Sequence, residues 1–275
     1  MFPIHIEIET TNRCNLSCIM CPHRLMKRKQ EDMKMEVFEK IAKECDGKVK
    51  TSYLHMIGEP LLHKDIVHMI KTIHFAGIKT SISTNCMLLE DDLMKDIISF
   101  SYLDELVMCL DGTDKNTYSK FRVGGDFDRV VYNINECIKY RRSASNSPTQ
   151  LILQLINMQD NIEQQKDIFK KYQAKLDEVG GRIWIKDFST FAGAIDDLGN
   201  IKTKPRRFKC NKLNTHIAFH SNGDCVICCR DYDGITKIGN ILDASISDLW
   251  LSAEYNKYRI DHVSKRYENP MCKNC

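Results

Sequence analysis

The chain has 275 residues, 43% of them hydrophobic and 28% charged, and 40 Lys+Arg against 37 Asp+Glu give a net charge of +3. These values lie near globular averages; they exclude a disordered tail, a collagen-like repeat and a low-complexity protein, and the charge is too small to argue for a nucleic-acid partner. Apolar runs reach only five residues, as at 106–110, so no membrane span is expected, and the N-terminus lacks the basic-then-apolar pattern of a secretory signal, which places the chain in the cytoplasm.

In chain order, short β-type runs at 4–9, 51–57, 80–84, 105–110, 151–157 and 182–188 alternate with amphipathic helical segments at 36–45, 65–76, 91–100, 127–141 and 162–179. Six strands alternating with five helices predict an α/β fold of parallel βαβ units. The stretch 143–148 reads as an exposed loop. The alternation stops near Gly193, which divides the chain into 1–193 and 194–275. The second part opens with turn residues and a basic stretch at 199–205. It continues as a hairpin (216–219, then 225–228) around Asn222-Gly223, a helix at 247–258 and a cysteine-containing end.

Thirteen cysteines are the unusual count. A reducing compartment disfavours disulfides, and the density lies below that of disulfide scaffolds, so metal or cluster ligation is the leading explanation. Three stand at 14, 18 and 21 and six at 210, 225, 228, 229, 272 and 275, while Cys45, Cys86, Cys109 and Cys137 sit in apolar contexts and read as buried small hydrophobes. The first group, Cys14-Asn-Leu-Ser-Cys18-Ile-Met-Cys21, directly follows the first strand. Three thiolates on one loop at this spacing reach three irons of a cubic 4Fe-4S cluster and leave the fourth iron open for chemistry. A structural zinc site is the alternative; it needs a fourth ligand, and the nearby candidate, His23, lies only two residues beyond Cys21.

On this loop the sequence resembles the radical S-adenosylmethionine enzymes, whose hallmark is CxxxCxxC after the first strand of a partial (β/α)6 barrel of TIM type. The resemblance implies that the open iron takes the amino and carboxylate groups of S-adenosylmethionine, whose sulfonium is cleaved to a 5′-deoxyadenosyl radical. Ile57-Gly58-Glu59-Pro60 resembles the family's Gly-Gly-Glu motif for the methionine amine, with the first glycine replaced. A carboxylate at a strand's C-terminal end, beside a glycine that permits close backbone approach, suits an ammonium; a surface glutamate is the alternative. Ser81, Ser83, Thr84 and Asn85 stand where family members place hydroxyls and amides near ribose and methionine. Alternation puts Ser81 and Ser83 on the barrel's inner face, with Ser83 the preferred contact. Leu110-Asp111-Gly112 and Phe121-Arg122-Val123-Gly124-Gly125 look like the family's SLDG and R-x-G-G segments, with Cys109 in place of the serine. Arg122 is thereby expected on the methionine carboxylate, a solvent-exposed arginine being the alternative. Gln154 and Asn157 either project polar groups into the barrel or satisfy backbone groups.

Cys210, Gly223 and Cys228 form CX12GX4C, and the chain ends Cys272-Lys-Asn-Cys275. A hairpin turning at Asn222-Gly223 brings Cys210 and Cys228 to the terminal CxxC, and four thiolates complete a second 4Fe-4S cluster; a closed four-cysteine zinc site is the alternative. This arrangement resembles the twitch domain, a shortened SPASM domain carrying one auxiliary cluster. Cys225 and Cys229 are spare, as alternative ligands, hydrogen-atom donors or inert packed thiols.

The resemblance implies an enzyme with two 4Fe-4S clusters, S-adenosylmethionine and a reducing partner such as flavodoxin or ferredoxin. Only thirteen residues precede Cys14, so no leader-peptide recognition domain is expected. A small polar substrate (amino sugar, cyclitol or polyol) is the favoured expectation, dehydrogenated or epimerised after loss of a carbinol hydrogen. A peptide- or protein-modifying maturase is the second reading, and a non-catalytic zinc- or cluster-binding module the third.

Overall fold

The alternating segments form twelve elements of one βα series, and the computed structural model describes residues 2–99, 102–144, 146–196, 198–199 and 209–275. The series runs β1 (His5–Ile8), α1 (Met35–Cys45), β2 (Thr51–Tyr53), α2 (Ile66–Phe75), β3 (Lys79–Thr84), α3 (Asp91–Met94), β4 (Glu105–Cys109), α4 (Lys115–Phe121), α5 (Phe127–Ser143), β5 (Gln150–Asn157), α6 (Ile162–Asp177) and β6 (Arg182–Asp187). Strands β1 to β6 lie side by side in chain order, and every neighbouring pair is parallel. This is the expected partial (β/α)6 barrel.

All six strands fall at their expected positions, β2 ending early at Tyr53. Helix α4 was not anticipated: its Lys-Asn-Thr-Tyr-Ser-Lys-Phe sequence has little apolar periodicity, and the Asp114 side chain starts it by accepting from the N–H groups of Asn116 and Thr117. The helix expected at 91–100 is α-helical only through Met94 and continues as one π-type turn, Lys95–Ser99; residue 100 lies outside the described residues. The expected loop at 143–148 is shorter, since α5 runs through Ser143, and Ser147 is buried with its hydroxyl donating to the Ile98 carbonyl. Of the turn-rich basic stretch expected at 199–205, residues 200–205 lie outside the described residues.

The C-terminal part adds α7 (Lys212–Thr215), β7 (His216–Phe219), β8 (Asp224–Val226), β9 (Lys237–Asn240), α8 (Ile246–Leu251), α9 (Ala253–Val263) and α10 (Pro270–Lys273). Strand β7 pairs parallel with β1, and β8 and β9 follow antiparallel, so one nine-stranded sheet runs β6-β5-β4-β3-β2-β1-β7-β8-β9. The hairpin turns at Asn222-Gly223, where Gly223 adopts φ +86°. Strand β9 escapes sequence reading because Gly239 and Asn240 are poor strand formers. The helix expected at 247–258 is two helices, broken where the Ser252 hydroxyl caps α9 by accepting from the Tyr255 N–H.

Alternation along the strands separates two environments. Ile6, Ile8, Leu54, Ile82, Leu106, Met108, Leu151, Leu153, Ile217 and Phe219 face the helices in one continuous core, which includes Cys45, Cys86 and Cys137. The opposite parity carries Glu7, Tyr53, Ser81, Ser83, Cys109, Gln154 and Trp184 to the barrel's inner face. Among the described residues, no helix is long and apolar enough to cross a membrane.

Candidate active site

The loop after β1 is closed by local polar contacts. Thr11 bridges Asp32, the Asn12 amide donates to the Lys29 carbonyl at 2.8 Å, and the Asn12 side-chain oxygen accepts from the Glu31 N–H at 2.7 Å. Cys18 is buried with Leu16 and Met20 against Phe121, Met158, Phe188 and Ile195, and Cys14 and Cys21 pack on the same cluster. Burial pushes the Cys14 thiol up to about 12 and Cys21 up to about 11, and Cys18 is also raised by burial. Thiols so placed remain protonated unless a metal takes them, and coordination deprotonates a thiol outright. His23, the nearby candidate for a fourth zinc ligand, engages the Asn12 carbonyl through Nε2 at 2.8 Å. Among the described residues, no three His, Cys, Asp or Glu groups are arranged to hold a single metal ion.

Gly58 and Glu59 pack directly on this loop. A Cβ at Gly58 would stand 2.1 Å from the Thr11 carbonyl oxygen, and the Glu59 N–H donates to the Arg13 carbonyl at 2.8 Å, so the glycine is required by close approach. The Glu59 carboxylate is 3% exposed and accepts from Leu61 N–H at 3.2 Å, Thr84 Oγ1 at 2.7 Å and Asn85 N–H at 2.8 Å. All three donors are neutral, and burial raises the carboxyl's pKa. The site therefore fits one further donor carrying positive charge, as the ammonium of S-adenosylmethionine does.

The other expected contacts have protein partners. The Asn85 amide donates to Asn15 Oδ1 at 2.8 Å, tethering the cysteine loop to the end of β3. Ser83 is half-buried, with its hydroxyl 3.4 Å from Cys109 Sγ, and the Gln154 amide donates to the same sulfur at 3.4 Å. Cys109, expected as a buried small hydrophobe, is indeed buried, and it lies on the inner face. Asn157 likewise has a partner, accepting from the Gln165 amide. Arg122 differs most from expectation. Its Nε and Nη2 donate to Asp111 Oδ2 at 2.7 and 2.6 Å, because a guanidinium this buried requires a counter-charge, and only Nη1 points elsewhere, 3.9 Å from Cys18 Sγ.

At the C-terminal site, Cys228 and Cys275 meet Arg230: its N–H donates to Cys228 Sγ at 3.5 Å and its Nη1 to Cys275 Sγ at 2.8 Å. Burial raises the Cys272 thiol to about 12, with Cys210 and Cys275 near enough to add to the shift. Arg230 thus links Cys228, in the loop after β8, to Cys275, just after α10, while Cys272 in α10 lies near Cys275 and near Cys210, before α7; these four are the candidates for a four-thiolate cluster. The two spare thiols separate. Cys225 is fully buried in the helix-facing core with its pKa raised by burial, so a hydrogen-donor role for it does not agree with the structure. Cys229 is half-buried beside the inner face: its N–H donates to Glu7 Oε2 at 3.2 Å, and the Lys212 ammonium donates to its sulfur at 3.4 Å and to Glu7 Oε1 at 2.6 Å.

Sequence reading missed this Glu7–Lys212 pair and the rings beside it. His5 lies 4.5 Å from His216 between ring centroids, and Tyr53 stacks on His216 at 6.3 Å. Burial lowers His55 and His216 to about 4, so both are neutral near pH 7. Burial opposes ionisation of Glu7, but Lys212, by charge and hydrogen bond, outweighs it and holds the carboxyl below its usual value. The available signal was a glutamate at an inward position of a buried strand, between Ile6 and Ile8.

Comparison with known proteins agrees with this architecture. Residues 8–149 match the Radical SAM superfamily model and residues 210–275 the SPASM iron-sulfur cluster-binding domain. The chain is 21% identical over 313 residues to the tungsten-containing aldehyde ferredoxin oxidoreductase cofactor-modifying protein of Pyrococcus furiosus, covering 98% of this chain and 86% of that one. It is 32% identical over 172 residues to the probable GTP 3′,8-cyclase of Methanocaldococcus jannaschii, covering 60% of this chain and only 53% of that protein. Among solved structures it resembles BtrN in complex with AdoMet and 2-DOIA, with TM-score 0.68 and 17% identity over 100% of this chain and 93% of that one. It also resembles SuiB of Streptococcus suis bound to precursor peptide SuiA, with TM-score 0.72 and 17% identity over 100% and 71%. A Radical SAM domain binds S-adenosylmethionine and a 4Fe-4S cluster, and a SPASM domain binds auxiliary iron-sulfur clusters. Because the first match extends over half of the chain and carries the cysteine loop within it, the protein belongs to the radical SAM superfamily.

Proposed function

We propose that the protein is a radical S-adenosylmethionine enzyme that removes a carbinol hydrogen from a small polar substrate, an amino sugar, cyclitol or polyol, leading to dehydrogenation. In this reading residues 1–193 form the radical-generating unit and 194–275 the auxiliary one, in a cytoplasmic protein served by a flavodoxin- or ferredoxin-type reductant. Cys14, Cys18 and Cys21 would hold the first 4Fe-4S cluster, and Cys210, Cys228, Cys272 and Cys275 the second. When bound, the first cluster and S-adenosylmethionine supply a 5′-deoxyadenosyl radical able to take a hydrogen atom from carbon. Glu59 receives the methionine ammonium, Gly58 lets the backbone come close, and Asn85 fixes the loop. Ser83 and Gln154 line the approach with Cys109 between them, and Arg122 holds Asp111 in place and offers Nη1 beside Cys18.

The observation that carries the substrate reading is the inner face itself. A carboxylate and an ammonium (Glu7, Lys212) stand there with neutral histidines and the Tyr53 ring, a set that matches hydroxyl and amino groups through hydrogen bonds. BtrN, crystallised with AdoMet and 2-DOIA at near-equal chain length, supports it. The test is a panel of amino sugars and cyclitols deuterated at single carbinol carbons, with 5′-deoxyadenosine analysed by mass spectrometry. Deuterium should reach 5′-deoxyadenosine from one position of one substrate class. Stimulation by peptides alone, with every sugar and cyclitol silent, would transfer the assignment to a peptide modifier. Solvent deuterium at an inverted carbon would replace dehydrogenation by epimerisation, with Cys229 as the hydrogen donor.

A further inference from the structure

The charged groups around the two cysteine sites are not neutralised in the same way. Arg28 donates to Glu9 through two nitrogens at 2.9 and 2.8 Å, Arg122 is held by Asp111, and Lys212 by Glu7. Arg230 differs: among the described residues its guanidinium has no carboxylate partner, and one guanidinium nitrogen and the backbone N–H go to sulfur. Nη1 donates to Cys275 Sγ at 2.8 Å and the backbone N–H to Cys228 Sγ at 3.5 Å. A partly buried cation that hydrogen-bonds to the sulfurs of two candidate ligands fits beside an anionic sulfur centre, and a 4Fe-4S cluster with four thiolates is one.

We propose that Arg230 sets the reduction potential of the auxiliary cluster, holding it more positive through a charge-assisted hydrogen bond to one thiolate ligand and a backbone hydrogen bond to another. This rests on the two-cluster reading above and adds the means by which the second cluster is suited to accept an electron. Adding an electron to the cluster adds negative charge next to the guanidinium, so the reduced form gains more from Arg230 than the oxidised form. Hydrogen bonds to cluster sulfurs act in the same direction. Arg230 is a positioning residue, since it acts through the cluster and not on the substrate.

The experiment is a potentiometric titration of the anaerobically reconstituted full-length protein, followed by electron paramagnetic resonance. The signal that disappears in the Cys14→Ala/Cys18→Ala/Cys21→Ala variant identifies the first cluster, and the one that persists is the auxiliary cluster. Arg230→Gln and Arg230→Met should each shift the auxiliary midpoint to more negative potential by at least a tenfold change in the reduced-to-oxidised ratio, 59 mV for one electron. Arg230→Lys should recover part of that shift, and the first cluster's midpoint should be the same in all variants. Two neutral replacements are used so that one can be read if the other fails to retain iron. An auxiliary midpoint unchanged in an iron-replete neutral variant, or loss of the auxiliary iron in both, overturns the proposal. A wild-type protein without a second cluster overturns the two-cluster reading instead, a distinct result seen before any variant is made.

Discussion

Glu59 shows how a single side chain reports what is missing from its surroundings. Burial raises the carboxyl's pKa against three neutral donors that lower it, and an incoming ammonium would stabilise the charged form. Glu59→Gln keeps the shape and removes the charge. It should weaken S-adenosylmethionine binding roughly 10- to 100-fold, since a hydrogen bond to a charged group contributes about 1.5–3 kcal/mol. Anaerobic equilibrium dialysis reads this directly, with the iron content unchanged; binding equal to wild type would contradict the assignment. Glu59 and the loop cysteines Cys14, Cys18 and Cys21 stood out as candidates in the sequence because their spacing is local. Glu7, Lys212 and Arg230 did not, because each acquires its meaning from a partner far along the chain: Lys212 meets Glu7 across 205 positions and Arg230 meets Cys275 across 45. Arg122 was legible in position but not in partner. Asp111 lies in the same stretch of sequence, yet nothing in the spacing indicates that its carboxylate takes two of the guanidinium's nitrogens.

Among the elements, the strands were the most legible, since buried parallel strands are short apolar runs bounded by breaks. Boundaries set by a single polar side chain were not, as at Ser252, where one hydroxyl divides α8 from α9. The turn after β2 was read for its glutamate and for a glycine that permits close backbone approach, and the structure shows which backbone the glycine meets. Gly58→Ala places a methyl against the Thr11 and Arg13 carbonyl oxygens, at 2.1 and 2.7 Å, and forces the start of the cysteine loop to move. The expected outcome is loss of about four of the irons on reconstitution, with the auxiliary iron retained, by the ligand count of one 4Fe-4S cluster. Colorimetric iron and sulfide analysis measures it, and a fully loaded Gly58→Ala protein would show that the close approach is dispensable.

For the molecule as a whole, the nine-stranded sheet joins the C-terminal part to the barrel through the β1–β7 pairing, so His216 of β7 faces His5 of β1 and Tyr53 of β2 follows. The sequence suggested two consecutive parts but gave no sign that they share a sheet, because strand pairing between distant segments leaves no local pattern. That junction has a pH signature. Unfolded imidazoles bind protons near pH 6.5, whereas the half-buried His55 and His216 do so only near 4. Between these values the unfolded chain holds more protons, so stability rises with pH across the window and is lost as pH falls through it. Melting temperatures measured from about pH 7 down to about pH 5 should decline in the wild type and decline less steeply in His55→Gln/His216→Gln.

The central claim is that a radical is generated at the loop carrying Cys14, Cys18 and Cys21 while a separate cluster occupies the C-terminal cysteines. The most direct test measures iron and 5′-deoxyadenosine together in the wild type and in the Cys14→Ala/Cys18→Ala/Cys21→Ala variant after anaerobic reconstitution. The wild type should bind about eight irons and form 5′-deoxyadenosine under reducing conditions, and the variant should keep about four and form none, by the count of three plus four thiolate ligands. A variant that still forms 5′-deoxyadenosine would contradict the account.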